Sequence, residues 1–116
     1  MRYAVLIHDR QHLWESPDDA QREQLLRDYL EPATAPGVIS YACLEPVTSA
    51  RTLRVVNGST LVTEGPFAET KEVFGGFYIL EADRVEAAVE FASRLPAARM
   101  GGSVEVRPLR HVGGES

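Results

Sequence analysis

The chain has 116 residues, of which 44% are hydrophobic and 25% are charged. These values are ordinary for one globular domain, and they exclude a disordered protein or two full domains. The formal net charge is −5, and the sequence has no cluster of Lys and Arg that could neutralise phosphates. We therefore expect neither nucleic acid nor an anionic membrane surface as a partner.

The sequence also carries signals about location and redox chemistry. No run reaches the roughly 18 apolar residues that a membrane span needs. The apolar segment Met1–Ile7 is too short for a signal peptide, which predicts a cytoplasmic protein. The single cysteine, Cys43, lies in an apolar run, and this favours a small buried packing residue over a catalytic thiol.

The first third of the sequence predicts a strand and a helix. Tyr3–Ile7 is a continuous apolar run, typical of a strand buried on both faces, and a polar loop is predicted from His8 to Glu15. The helix should begin with Ser16 as its N-cap and Pro17 as its first residue, and end at Pro36-Gly37. Its buried stripe recurs at three- and four-residue spacing: Leu25, Leu26, Tyr29, Leu30 and Ala33.

A second apolar strand, Val38–Leu44, precedes a predicted hairpin. Asn57-Gly58 favours positive φ at both turn positions of a type I′ hairpin, so Arg51–Val56 should pair with Ser59–Thr63. The following residues, Glu64–Phe74, are predicted to form a loop.

The C-terminal part predicts a strand, a helix and an edge strand. Gly75–Leu80 is a continuous apolar strand, and its two leading glycines favour a β-bulge over a close approach by a ligand. Asp83 should cap the second helix, with Glu86 as its capping-box partner. A loop is predicted over Pro96–Gly102. The alternating segment Val104–Leu109 predicts a half-exposed strand, whose proline favours an edge position.

The predicted order is β-α-β-(hairpin)-β-α-β, a ferredoxin-like α+β fold with one antiparallel sheet. We expect a single domain over residues 1–110 and a mobile tail over residues 111–116. Right-handed crossovers place both helices on one face of the sheet, yet three predicted strands are apolar on both faces. Monomers rarely expose such a patch, so we expect a homodimer through the open sheet face. The alternative is that the inserted hairpin folds over this face.

The segment from Val62 to Tyr78 carries three closely spaced motifs: Gly65-Pro66-Phe67, Glu69-Thr70-Lys71-Glu72 and Gly75-Gly76-Phe77-Tyr78. Together with the closing Val104-Glu105-Val106-Arg107-Pro108-Leu109, they resemble the signature of the DGPF branch of the YCII-related proteins. The resemblance covers nearly the whole chain. It implies a ferredoxin-like fold and a dimeric α+β barrel.

The resemblance implies less about function than about fold. Some YCII relatives are enzymes that act on small, often aromatic or chlorinated molecules, and a His–Asp pair has been suggested for their acid–base chemistry. Many DGPF members are encoded beside extracytoplasmic-function sigma factors, which implies a regulatory setting. This chain has Glu64 where the eponymous Asp stands, which moves the carboxylate by one methylene, and its first helix, Pro17–Ala35, has no His.

The candidate catalytic residues are His8, Asp9 and Glu64. Adjacent residues on a strand point to opposite faces, so His8 and Asp9 should not pair with each other. We expect His8 to meet Glu64, because the first strand should be antiparallel to the strand from Gly75 and the intervening loop can fold back. A surface histidine is the competing interpretation. Candidate substrate-binding residues are Trp14, Phe67, Glu69 and Lys71, for which core packing or a solvated loop is the alternative.

Two functions fit these residues. The first is a small-molecule-binding protein or cofactor-independent enzyme, with acid–base chemistry on a small, partly apolar substrate. The second is a non-catalytic regulatory or protein-interaction module. The spacing of His, Cys and Asp matches no metal site, and the sequence has no phosphate loop, nucleophile elbow or dinucleotide fingerprint. We therefore expect neither a metal nor a cofactor.

Overall fold

A computed structural model describes residues 1–10, 18–65 and 72–113. Strands β2, β5, β1 and β6 form one antiparallel sheet in that order, and β3 and β4 form a separate two-stranded hairpin. This is the ferredoxin-like α+β arrangement that the sequence predicts. The strands are β1 (Arg2–Arg10), β2 (Val38–Cys43), β3 (Arg51–Val56), β4 (Ser59–Glu64), β5 (Glu72–Glu81) and β6 (Ser103–Pro108), and the helices are α1 (Asp19–Leu30), α2 (Val85–Ser93) and α3 (Pro96–Arg99).

The hydrophobic core lies between the helices and one face of the sheet. Alternate residues of each central strand point toward the helices, because side chains on a strand alternate between its two faces. The edge strand β6 follows the same alternation, with Val104 and Val106 toward the core. The buried core consists of Tyr3, Val5, Ile7, Leu25, Tyr29, Tyr78, Leu80, Ala88, Ala92, Leu95 and Ala97.

The opposite face of the sheet carries no helix of the described residues. Leu6, Phe77 and Ile79 are half-buried there, while the hairpin strands β3 and β4 are exposed along nearly their whole length. The hairpin therefore does not pack on its own sheet, which removes the alternative considered above. A homodimer through this open sheet face stays a prediction.

Helix α1 begins two residues later than the sequence analysis places it. Asp18 is the N-cap, and its carboxylate accepts hydrogen bonds from the backbone N–H groups of Ala20 and Gln21. The predicted cap residues, Ser16 and Pro17, lie outside the described residues. The helix ends at Leu30 and is followed by a 3₁₀ turn over Pro32–Thr34, because proline cannot continue the α-helical hydrogen bonds.

The predicted cap of helix α2 is also wrong. The N-cap is Arg84 rather than Asp83, and no side chain bonds the free N–H groups of the first turn, so the capping box with Glu86 does not form. Residues 96–102 are not entirely loop, since Pro96 occupies the first turn of the short helix α3. None of the helices within the described ranges is long and apolar enough to cross a membrane.

Residues at the ends of two predicted loops belong to strands instead. Strand β1 continues through His8 and Asp9 to Arg10, which pairs with Glu72 at the start of β5. The two strands remain paired beyond their apolar segments, so hydropathy alone predicts both strands to be shorter than they are. Glu64 likewise belongs to β4.

Glycines set the local geometry of the sheet and the hairpin. The register between β1 and β5 shifts at Ile7 and His8, which is the β-bulge favoured at Gly75-Gly76. The hairpin turn has Asn57 at φ 50° and Gly58 at φ 80°, as a type I′ turn requires.

We expect Gly76→Ala to lower the free energy of unfolding by about 3 kcal/mol, the upper end of the cost of overpacking. A Cβ at Gly76 would lie 2.5 Å from the backbone oxygen of Ala42, and that strand cannot move without breaking the sheet. Gly58→Ala is the control: its Cβ meets no atom within 4 Å, and only its positive φ costs stability, by about 1 kcal/mol. Equal losses in urea unfolding would contradict the steric account.

Candidate active site

Asp9 is the buried charged side chain of the described part of the chain, with 1% of its surface exposed. It lies near the end of β1 on the helix side of the sheet. The Tyr29 hydroxyl of α1 donates a hydrogen bond to Oδ1 of Asp9, with a donor–acceptor distance of 2.5 Å. Burying a carboxylate without hydrogen bonds is costly, so this contact is part of what allows the charge to remain in the core.

A second tyrosine fixes the position of the first. The Tyr78 hydroxyl, from β5, donates to the backbone oxygen of Tyr29 at 2.5 Å. Burial raises the pKa of Tyr29 well above its usual value, and the hydrogen bond to Asp9 raises it further. Burial is also the main reason that the pKa of Tyr78 is raised, followed by the nearby Cys43 and Asp9. Both hydroxyls therefore stay protonated and act as donors.

Gly75 leaves room for the other carboxylate oxygen. A Cβ at this position would lie 2.9 Å from Oδ2 of Asp9, so any larger residue would push the carboxylate from its place. The bulge therefore places the backbone of Gly75, rather than a side chain, beside the Asp9 carboxylate.

Asp9 lines a cavity of about 390 Å³ at this end of the sheet. Small-molecule sites have a similar size and are mostly apolar with a few polar groups. The charged side chains that line this cavity are Asp9, Arg22 and Glu45. The remaining lining residues are Leu26, Cys43, Leu44, Pro46, Val47, Val73, Phe74 and Gly75.

Cys43 is exposed, which corrects the expectation of a buried packing residue. It lies at the end of the edge strand β2 and faces the cavity. Partial burial raises the pKa of its thiol, and the negative charge of Asp9 acts in the same direction. A raised pKa lowers the fraction of thiolate at neutral pH, which favours Cys43 as a wall of the cavity over a nucleophile.

The expected pair of His8 and Glu64 is wrong. The Nε2 atom of His8 lies 3.8 Å from a carboxylate oxygen of Glu105, and its ring centroid lies 5.7 Å from that of Phe74. Glu64 lies instead in the exposed hairpin, opposite Arg51. The reason is topological: β4 pairs with β3 outside the main sheet, whereas β6 pairs with β1 and places Glu105 beside His8.

The structure separates the candidate residues into distinct groups. Asp9 faces the helix side and His8 the open side, as their adjacency predicts. Trp14, Phe67, Glu69 and Lys71 lie outside the described residues. Within residues 1–10, 18–65 and 72–113, no group of three His, Cys, Asp or Glu side chains could hold a metal ion.

Comparison with known proteins identifies the family. Residues 1–112 match the YCII-related domain. The chain belongs to this family. It is 38% identical over 117 aligned positions to the uncharacterized protein R00369 of Rhizobium meliloti (strain 1021), an alignment that covers 94% of this chain and 92% of that protein.

A solved structure with a similar fold is 5-chloro-2-hydroxyhydroquinone dehydrochlorinase (TftG) from Burkholderia phenoliruptrix AC1100, in complex with 2,5-dihydroxybenzoquinone. The two chains superpose with a TM-score of 0.51, and the match covers 97% of this chain and 96% of the other. Their sequences are 20% identical, so the similarity supports the shared fold alone.

The sequence pattern alone does not reveal that Tyr29, Tyr78 and Gly75 lie together at one site. Tyr29 belongs to the predicted buried stripe of α1. A buried tyrosine hydroxyl needs a hydrogen-bond partner, so the sequence does indicate that a polar group lies near Tyr29. Which acidic residue would supply the partner depends on packing between α1 and β1, and spacing along the chain does not reveal it.

We expect Tyr29→Phe to lower the free energy of unfolding by about 1.5–3 kcal/mol, because it removes a hydrogen bond to a buried charged group. Tyr41→Phe is the matched control, since Tyr41 is about half exposed and no hydrogen bond of its hydroxyl occurs among the described residues. Urea unfolding at pH 7 measures both variants. Equal stabilities would show that the contact between Tyr29 and Asp9 contributes nothing.

Alkaline pH should reveal the two buried hydroxyls. Their raised pKa values stabilise the fold below about pH 10, where an unfolded tyrosine is still neutral, and this contribution is lost as the pH rises further. We expect a phase of tyrosinate absorbance that coincides with alkaline unfolding and is reduced in Tyr29→Phe and Tyr78→Phe. Full ionisation of every tyrosine before unfolding would contradict the assigned environments.

Proposed function

We propose that this protein binds a small, partly apolar molecule in the cavity beside Asp9, and that Asp9 exchanges a proton with it. The observation that carries the proposal is a buried carboxylate on the wall of a mostly apolar cavity of about 390 Å³. Burying a charge in a core is costly, and such groups in a cleft are often functional.

The two oxygens of Asp9 have different environments, which suits a proton acceptor. Oδ1 accepts the hydrogen bond from Tyr29, and this contact fixes the plane of the carboxylate. Oδ2 lies beside Gly75, which also lines the cavity. A base must reach the proton that it removes, and the position of Asp9 in the cavity wall supports this role.

The cavity walls indicate the kind of ligand. Most lining side chains are apolar, and Phe74 offers an aromatic contact. Arg22 supplies a positive charge at the wall while it is also paired with Asp19. A hydroxylated aromatic compound matches this combination, because its ring can pack on apolar side chains while its oxygens face Arg22 and Asp9. The compound named with the structurally similar dehydrochlorinase is a dihydroxylated quinone, a flat oxygenated ring of similar size, which supports the proposal without carrying it.

Binding and turnover test the proposal separately. We expect 2,5-dihydroxybenzoquinone to bind by calorimetry. In the keto tautomer of a chlorinated hydroquinone, which carries a hydrogen on the chlorine-bearing carbon, Asp9 takes the remaining hydroxyl proton as the C–Cl bond breaks. The products are a quinone and a chloride ion, and the proton then passes from Asp9 to solvent. Asp9→Asn should keep binding within a few-fold and lower chloride release by about 10²–10⁴-fold, the usual contribution of a general base. Circular dichroism confirms that the variant is folded.

Two control variants sharpen the result. Glu64→Gln changes a carboxylate of the exposed hairpin and should leave both measurements unchanged. Gly75→Ala places a Cβ against Oδ2 of Asp9 and should lower turnover more than binding. Normal turnover in Asp9→Asn would remove Asp9 from the chemistry, and no binding of any hydroxylated aromatic probe would remove the ligand class.

A non-catalytic interaction module is the second candidate function. The observation that favours it is the exposed hairpin, in which Leu53, Val55 and Val62 all lie open to solvent. A regulatory role in a sigma-factor setting would use such a surface. Binding of a small aromatic molecule at Asp9 separates this candidate from the first, because an interaction module does not need that cavity.

A further inference from the structure

A second, much smaller cavity adjoins the cavity beside Asp9. Its volume is about 10 Å³, close to that of one water-sized sphere, and Asp9, Cys43 and Gly75 line both cavities. We call this smaller space the side cavity. Its other walls come from β1, α1, β2 and β5: Ile7, Tyr29, Tyr41, Ala42, Gly76, Phe77 and Tyr78.

The buried polar groups in the walls of the side cavity already have partners within the protein. The Tyr29 hydroxyl donates to Asp9, and the Tyr78 hydroxyl donates to the backbone oxygen of Tyr29. Among the described residues, no buried side-chain nitrogen or oxygen lacks a hydrogen bond. An ordered water needs about two to four polar partners, whereas an apolar group of similar size needs none. The walls therefore favour an apolar occupant.

Tyr41, Tyr78 and Cys43 give the side cavity a polarisable wall. The two tyrosine rings lie on the same side of the sheet with their centroids 6.4 Å apart, and Cys43 follows Tyr41 by two residues on β2. Sulfur and aromatic carbon pack well against a methyl group or a covalently bound chlorine atom. A free chloride ion would be repelled by the negative charge of Asp9, so the side cavity suits the substituent and not the anion.

We propose that the side cavity is a subsite that selects one small apolar substituent, a methyl group or chlorine, on the ring of the ligand. The inference rests on the proposed function, because the ring must lie in the larger cavity for its substituent to enter the side cavity. Tyr41 lines only the smaller of these two spaces, whereas Cys43 stands where they meet, so these two side chains set the size limit. Tyr41 is 48% exposed, and its ring can shift outward to admit a group slightly larger than water.

Calorimetry under argon, with hydroquinones that differ in one substituent, tests the subsite. Methylhydroquinone has no leaving group, so its binding is measured without turnover. We expect it to bind about 10-fold more tightly than hydroquinone, as one added carbon in an apolar pocket allows. The tert-butyl compound should lose this gain because the side cavity is too small for it. Chlorohydroquinone, measured with the slow Asp9→Asn variant, should show the same preference over hydroquinone as the methyl compound.

Substitutions in the walls separate the subsite from the larger cavity. Tyr41→Ala widens the side cavity and should let tert-butylhydroquinone bind as tightly as methylhydroquinone. Tyr41→Phe keeps the ring and is the matched control, so it should retain the preference of the unmodified protein. Cys43→Leu fills the side cavity and should remove the preference for the methyl compound. Val47→Leu adds one methylene to the larger cavity and should leave the ratio of the two affinities unchanged. Circular dichroism verifies that the variants fold.

Isotope-filtered NMR locates the methyl group in the unmodified protein. We expect nuclear Overhauser contacts from the methyl protons of methylhydroquinone to the Tyr41 ring and the Cys43 β-protons. Contacts only to Leu26, Leu44 or Val47, which line the larger cavity, would overturn the subsite. Equal affinities for hydroquinone and methylhydroquinone would also overturn it, and would leave the proposed function in place. Binding of neither compound would overturn the proposed function together with the subsite that rests on it.

Discussion

The candidate site depends on one buried hydrogen bond, from the Tyr29 hydroxyl to the Asp9 carboxylate. It joins α1 to β1, and the bond from Tyr78 to the Tyr29 backbone joins the same helix to β5. The contacts that hold the helix on the sheet are therefore also the contacts that orient the carboxylate. Because a buried charge that loses a partner is destabilising, loss of the Tyr29 hydroxyl should affect both the fold and the site.

The alternation of side chains along β1 places neighbouring residues on opposite sides of the sheet. Asp9 faces the helices and the cavity, while His8, its neighbour in sequence, faces the open side beside Glu105. Phe74 lines the cavity and its ring also lies beside that of His8, so it marks the boundary between the two sides.

Hydropathy and turn signals were sufficient for the fold, and insufficient for the site. The apolar runs and Asn57-Gly58 predict the strands, their order and the hairpin, because those features depend on local patterns. The ends of β1 and β5 and both helix caps depend on pairing and hydrogen bonds that hydropathy does not record. Glu64 was the predicted partner of His8 because both residues were expected at the same end of the sheet. The observed neighbour, Glu105, comes from strand β6, which is distant in sequence.

The most direct test of the account is to find where a ligand binds. In isotopically labelled protein titrated with 2,5-dihydroxybenzoquinone, we expect the largest NMR shifts at the Asp9 carboxyl carbon and at the amides of Leu26, Leu44 and Gly75, which line the cavity. Shifts confined to His8 and Glu105 on the open face, or an Asp9 carboxyl signal that does not move at saturation, would contradict a site built around the buried carboxylate.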